Sequence, residues 1–190
     1  MLIENFFGHL STVVRHRHKV MLHCFRAGII RRGLLHDLSK FSPTEFIPGV
    51  LYYQGSRSPN EKEREETGSS KAWMHHKGRN RHHFEYWTDY SPETKRLEPV
   101  RMPDVFIAEM FCDRVAASKI YNKESYTDGM PLDYYMRGKH RRLIEKETAA
   151  KLEFLLRMLK VRGEDETFRY IRRQLRRGRR SWEGLDINSF

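Results

Sequence analysis

Apolar residues recur at helical intervals along almost the whole chain. Over residues 2–27, Phe6, Leu10, Val13, Val20, Met21 and Cys24 fall within an arc of about 100° at 3.6 residues per turn, which predicts one long amphipathic helix. Gly28 interrupts it, and residues 29–39 read as a second, short helix. Ser42-Pro43-Thr44-Glu45 has the form of a capping box with proline at the first helical position. A third helix therefore begins there and runs over 45–54, and the one before it must stop near Lys40 or Phe41. Residues 55–70 form a polar connection with room for one or two solvated turns. Next come a short helix over 71–76, a turn over 77–80, an aromatic-rich helix over 81–90 and a loop over 91–103. The stripe Phe106, Met110, Ala117 and Ile120 predicts a helix over 104–121. After a turn at 127–131, residues 132–140 make a short helix. Residues 145–162 place Leu152, Leu155, Leu156 and Leu159 on one face and end at Gly163, a natural helix stop. The last helix spans 164–177, with Phe168, Ile171 and Leu175 inward. No alternating pattern exceeds four residues and no internal repeat is present, so the expected fold class is all-α, a helical bundle.

Composition narrows the class further. A chain of 190 residues is long enough for one domain with a real core, and eleven Phe, nine Tyr and three Trp argue against disorder even at 32% charged residues. No apolar run is long enough to span a bilayer and the N-terminal residues carry no secretory pattern, so a cytoplasmic protein without a membrane partner is expected. Cys24 and Cys112 lie in apolar-periodic segments far apart and read as buried free thiols. The net charge of +11 is uneven: residues 169–180 hold seven arginines and no acid. That end could meet an anionic partner such as nucleic acid, or it could be a solvated helix face with a frayed tail.

The candidate chemistry centres on LLHDLSKFSPTEF, residues 34–46. His36 and Asp37 are both good ligands for a divalent transition metal. Side by side on a helix they point about 100° apart, so they share one ion only at a helix end or kink. Ten histidines, all but one at or before residue 83, supply further ligands. On the first helix His16 lies nearer the apolar stripe than His18. In HHKGRNRHHFEYW, residues 75–87, the pairs His75-His76 and His82-His83 flank a tight turn, so one histidine of each could reach a common ion. The interleaved Lys77, Arg79 and Arg81 make a cationic rim suited to an anionic substrate. Asp113 falls on the apolar stripe of its helix, and a carboxylate aimed at a core needs a cation or a metal as partner.

The order His16, His36-Asp37, Asp113 resembles that of the HD superfamily of metal-dependent phosphohydrolases, all-helical proteins with a helix-borne His, then His-Asp, then a late Asp. HDLSK looks like the superfamily's HD-hydrophobic-small-Lys signature and FCDRVAA like its late aspartate segment. The segments HRHKVMLHCFRAG, GLLHDLSKFSPTEF, AWMHHKGRNRHHFEYW and EMFCDRVAASKIY look like a bacterial and phage family of unknown function within it. The resemblance implies an HD-like helical domain over 1–178, with a metal-site core at 9–121, C-terminal helices at 131–178 and a basic flexible tail at 179–190. Two departures stand out. The interval from His16 to His36 is short, which leaves His18 as a possible replacement ligand. The histidines at 75–83 resemble those of dinuclear subgroups, some hydrolases and some diiron oxygenases.

The implied scheme has His16, His36, Asp37 and Asp113 holding one divalent ion, Mn, Fe, Co, Ni or Zn, in a site of one or two ions. Asp37, or a second ion held by His76 and His82, would orient the attacking hydroxide, and Lys40 would offset charge on the phosphoryl oxygens. Lys77, Arg79 and Arg81 would hold a phosphorylated substrate such as a nucleotide, and Glu85 would support His82. An iron-dependent oxygenase on the same scaffold, and a nucleic-acid-binding or regulatory protein using the arginine-rich end, are the alternatives.

Overall fold

The computed structural model describes residues 2–178 and Trp182. In chain order the elements are α1 (Leu2–Ala27), α2 (Ile30–Leu35), α3 (Pro43–Leu51), α4 (Pro59–Thr67), α5 (Lys71–Arg79), β1 (Thr88–Ser91), β2 (Arg96–Pro99), α6 (Asp104–Asn122), α7 (Met130–Arg137) and α8 (Lys146–Arg176). The fold is all-α apart from one small antiparallel hairpin, in which Thr88 pairs with Pro99 and Ser91 with Arg96. The expected basic tail, 179–190, lies outside the described residues except for Trp182.

The three longest helices, α1, α6 and α8, pack together at the centre. Their core joins Val20 and Cys24 to Ile107, Phe111, Cys112 and Val115, and to Leu152, Leu155, Leu156 and Leu159. Both cysteines are buried and free, as expected. Gly163 breaks α8 with φ 75° and ψ 177°, a conformation that a side chain resists, and this bend lets Phe168 and Ile171 return to the same core. No helix among the described residues is long and apolar enough to cross a membrane.

The inward row of α1 differs from the apolar reading. It is His9, Val13, His16, Val20, His23, Cys24 and Ala27, while Phe6 is exposed. Three histidines two turns apart thus take inward positions that hydrophobicity alone assigned to neighbours. Helix α6 also has two faces. Its core face holds Phe106, Ile107, Met110 and Phe111, whereas Asp113, Ala117 and Ile120 turn to a cavity. The helix expected over 81–90 is replaced by a single 3-10 turn, Phe84–Tyr86, and strand β1. Thr88 and Tyr90 are strand-favouring residues, and pairing with β2 overrides the local helical pattern.

Helix α2 lies very close to α1 because Gly33 has no side chain. A Cβ there would meet Cys24 Cβ at 2.7 Å and Met21 Cα at 3.1 Å. Gly33→Ala would gain about 1 kcal/mol of helix propensity and lose about 1–3 kcal/mol to overpacking. The backbone contact at Met21 cannot rotate away, so the expected result is a lower denaturation midpoint in urea.

His23 is buried, its Nδ1–H donates to Cys112 O at 3.3 Å, and its ring stacks on Phe168. Burial, with Lys119 and Arg26 nearby, pushes its pKa down to about 4. A neutral folded histidine competes with an unfolded one that protonates near 6.5, so this contribution falls as pH drops below 6.5 and levels off below about 4. At pH 5 the loss is about 2 kcal/mol. His23→Gln should therefore lose less stability than the wild type between pH 7 and pH 5 when chemical denaturation is followed at both.

Candidate metal centre

The cluster is built around a break in the chain. Helix α2 ends at Leu35, and Asp37 takes a left-handed backbone conformation, φ 52° and ψ 28°, before a 3-10 turn at Leu38–Phe41. A non-glycine residue accepts that conformation only where its surroundings hold it. Here Arg17 does so, its Nε donating to His36 O at 2.8 Å and its Nη2 to Leu34 O at 3.1 Å. The break turns two adjacent side chains toward one point, which a continuous helix could not do.

The two carboxylate oxygens of Asp37 face different partners. Oδ2 lies 3.4 Å from His36 Nε2 and 3.9 Å from His16 Nε2, and Asp113 Oδ1 lies 3.0 Å from His16 Nε2 and 3.7 Å from His36 Nε2. Oδ1 lies 3.3 Å from His76 Nε2 and 3.4 Å from His82 Nε2. His83 joins this second set, with all donor atoms within 4.8 Å of one another. Metal–nitrogen and metal–oxygen bonds of about 2.0–2.2 Å put neighbouring ligand atoms about 3.0–3.6 Å apart in tetrahedral or octahedral shells. Four of the six spacings fall within that range, and the other two, 3.7 and 3.9 Å, slightly exceed it. Nε2 of His16, His36, His82 and His83 and Oδ1 of Asp37 are buried without a hydrogen-bond partner, a costly state that a cation at each focus relieves. The donor set thus fits two ions sharing Asp37.

Two buried glutamates orient the rings from behind. Glu109 Oε1 lies 3.0 Å from His36 Nδ1 and 3.4 Å from His82 Nδ1, while its Oε2 accepts from Arg32 Nε at 2.7 Å. Glu45 accepts from His75 Nδ1 and His76 Nδ1, each at 2.7 Å. A carboxylate on Nδ1 keeps the proton there and leaves Nε2 to face inward as a lone pair. His36, His82 and Glu109 are also close enough to one another to hold an ion. Glu109 engages the outer nitrogens, however, so it is better placed as their hydrogen-bond acceptor.

The electrostatics agree with that arrangement for three of the rings; at His36 burial works to lower the pKa, but Asp37, Asp113 and Glu109 hold it well above the usual imidazole value. Burial lowers the pKa of His16, and burial with neighbouring imidazoles lowers those of His82 and His83, so these rings are neutral. Burial works to raise Asp37 and Asp113, but His36 and Lys40 hold the first, and His16 and His36 the second, well below the usual carboxylate range. Lys40 Nζ donates to Asp37 Oδ2 at 2.7 Å.

All six expected ligands, His16, His36, Asp37, His76, His82 and Asp113, converge. His18 is exposed and is not an alternative to His16. Three expectations are corrected. Glu85 does not support His82; Glu109 does. Arg79 and Arg81 are exposed and do not line the cavity, because Asn80 between them takes the inward position, donating to Ser39 Oγ and His76 O. Of the expected cationic rim only Lys77 lines the cavity, as does Lys40. Ser42 does not cap α3 through its side chain, since Glu45, the acid of the supposed capping box, is drawn to His75 and His76.

The cluster opens on a cavity of about 1430 Å³, lined by His9, His16, Lys40, His76, His83 and Asp113 on the side of the cluster. A family model matches residues 5–158. The chain belongs to the family of unknown function DUF5662. The matched span contains every residue of both donor sets and leaves the arginine-rich end of α8 outside it. No curated protein and no solved structure matches the chain.

Glu109→Leu removes the acceptor shared by Arg32, His36 and His82 and should cost about 3–5 kcal/mol in chelator-treated protein. Glu85→Gln, at a carboxyl whose Oε2 is buried without a partner, should cost far less in the same denaturant titration.

Proposed function

We propose that this chain is a metal-dependent phosphohydrolase of the HD type with a two-ion centre, acting on a phosphorylated small molecule such as a nucleotide. The reading rests on one observation: the opposite oxygens of a single buried carboxylate, Asp37, face two separate sets of imidazole and carboxylate donors. His16, His36, Asp37 and Asp113 would hold one ion, and Asp37, His76, His82 and His83 the other. Mixed nitrogen and oxygen ligation suits Mn, Fe, Co, Ni or Zn. Divalent ions in such a centre supply Lewis acidity and a water acidified toward neutrality.

The remaining work falls to side chains. Lys40 lines the cavity beside Asp37, where its ammonium offsets negative charge developing on phosphoryl oxygens. Burial disfavours its charge, but Asp37 and Asp113 raise its pKa and keep it protonated at every working pH. Glu45 and Glu109 fix the ring planes, so that little reorganisation accompanies reaction. Trp73 and Tyr121 add aromatic surface to the cavity wall.

The histidine-rich second set also suits iron, which keeps an iron-dependent oxygenase as the second reading. Consumption of dioxygen by the iron-loaded protein, without phosphate release, would favour it. Exposed Arg169, Arg172, Arg173, Arg176 and Arg177 on the last turns of α8 and just beyond are the surface by which a nucleic acid could be met.

Metal analysis of the purified protein should find two ions per chain, with Asp113→Ala and His82→Ala each losing one and Asp37→Ala losing both. Phosphate release from a nucleotide panel should require metal and vanish in Asp37→Ala. Retention of both ions, or wild-type turnover, in that variant would refute the scheme.

A further inference from the structure

Besides the donor cluster, the cavity wall carries a group of cations, together with the acids Glu61, Glu85 and Asp133. Lys77 on α5, Arg114 on α6, Arg137 on α7, and Arg141 and Arg142 beyond α7 all face this space. Among the described residues none of these five has a carboxylate within ion-pair distance, whereas Lys40 pairs with Asp37 and Arg57 with Glu65.

Arg114 carries the sharpest imbalance. It directly follows Asp113 on α6, yet its Nε is buried without a partner. Arg142 lines the same cavity, its guanidinium donating to the carbonyls of Tyr135 and Tyr134. Both guanidinium groups lie against the buried ring of Tyr135, 5.8 Å and 5.2 Å from its centroid. Asp113, which is turned to His16 and His36, and Glu85, whose Oε2 is buried without a partner, are the carboxylates near Arg114, and neither forms an ion pair with it. Two cations held on one aromatic ring with no carboxylate paired to either are incompletely neutralised, and an anion seated there would relieve that cost.

We propose that Arg114 and Arg142, with Lys77 beside them, bind a second phosphate group of the substrate while the first lies at Asp37, so that the preferred substrate carries two phosphates. Guanidinium groups offer the paired N–H geometry that phosphate oxygens accept. The substrate assignment rests on the hydrolase reading; the anion site itself does not.

Titration calorimetry of the chelator-treated full-length chain with inorganic pyrophosphate separates the two. Wild-type protein should bind, and the double variant Arg114→Gln/Arg142→Gln should bind about tenfold or more weakly. Arg79→Gln/Arg81→Gln removes the same charge outside the cavity and should bind as the wild type does. Equal weakening in both double variants, or no binding by the wild type, would overturn the anion site. Arg114→Gln should melt at or above the wild-type temperature, since it removes an incompletely neutralised charge; a sharply lower midpoint would mean that Arg114 is structural and would also overturn it. With metal restored, the arginine double variant should lose turnover of bisphosphates and diphosphates while keeping that of monophosphates. Indifference to the second phosphate would sink the substrate class and leave the hydrolase reading intact. Pyrophosphate binding that needs both arginines, with no turnover of any phosphate ester, would instead remove the hydrolase and keep the anion site.

Discussion

One buried carboxylate organises the molecule. Asp37 sits at a left-handed turn, accepts from Lys40 on one oxygen, and stands within 3.3–3.9 Å of four imidazoles from α1, the α2 break, α5 and the loop after it. Burying that charge is costly, and Lys40 and His36 beside it offset part of the cost. The elements carrying those groups are therefore constrained in position by electrostatics as well as by packing. The hydrophobic core of α1, α6 and α8 supplies the frame, and the polar cluster decides how α2, α3 and α5 sit against it.

Glu45 and Glu109 extend the constraint outward. Each spans two imidazoles, and Glu109 also reaches Arg32, whose guanidinium lies 4.5 Å from the centroid of the Phe106 ring. The rings are thus held between acids behind and Asp37 and Asp113 in front, so their planes are set before any ligand arrives. A rigid shell of this kind is what gives a site of scattered residues a defined geometry.

Much of this was legible in the chain. The long helices followed from their apolar period, and His36-Asp37 before a proline-started helix pointed to a break that joins two ligands. What local pattern obscured was the set of supporting acids. Glu45 sits where a capping box expects it, and nothing local shows that it turns to histidines 30 positions away. Glu85 is near His82 in sequence, but the 3-10 turn directs it elsewhere. Glu109 held a usable signal, since it lies one turn before Asp113 and so shares part of its helix face. His83 was missed because periodicity does not say which of two adjacent rings enters a site, and in the structure both do. Arg79 and Arg81 looked like a rim only because the turn between them was read without the inward preference of Asn80.

Arg17 has an implication for how the centre responds to force. It follows His16 on α1 and grips the carbonyls at the end of α2, so one rigid rod both presents a ring and clamps the hinge that bears the shared acid. Sliding α1 along α2 would displace the ring and its anionic counterpart in concert. The assembly should behave mechanically as a latch, seated or released as a whole, with no graded loosening of single contacts.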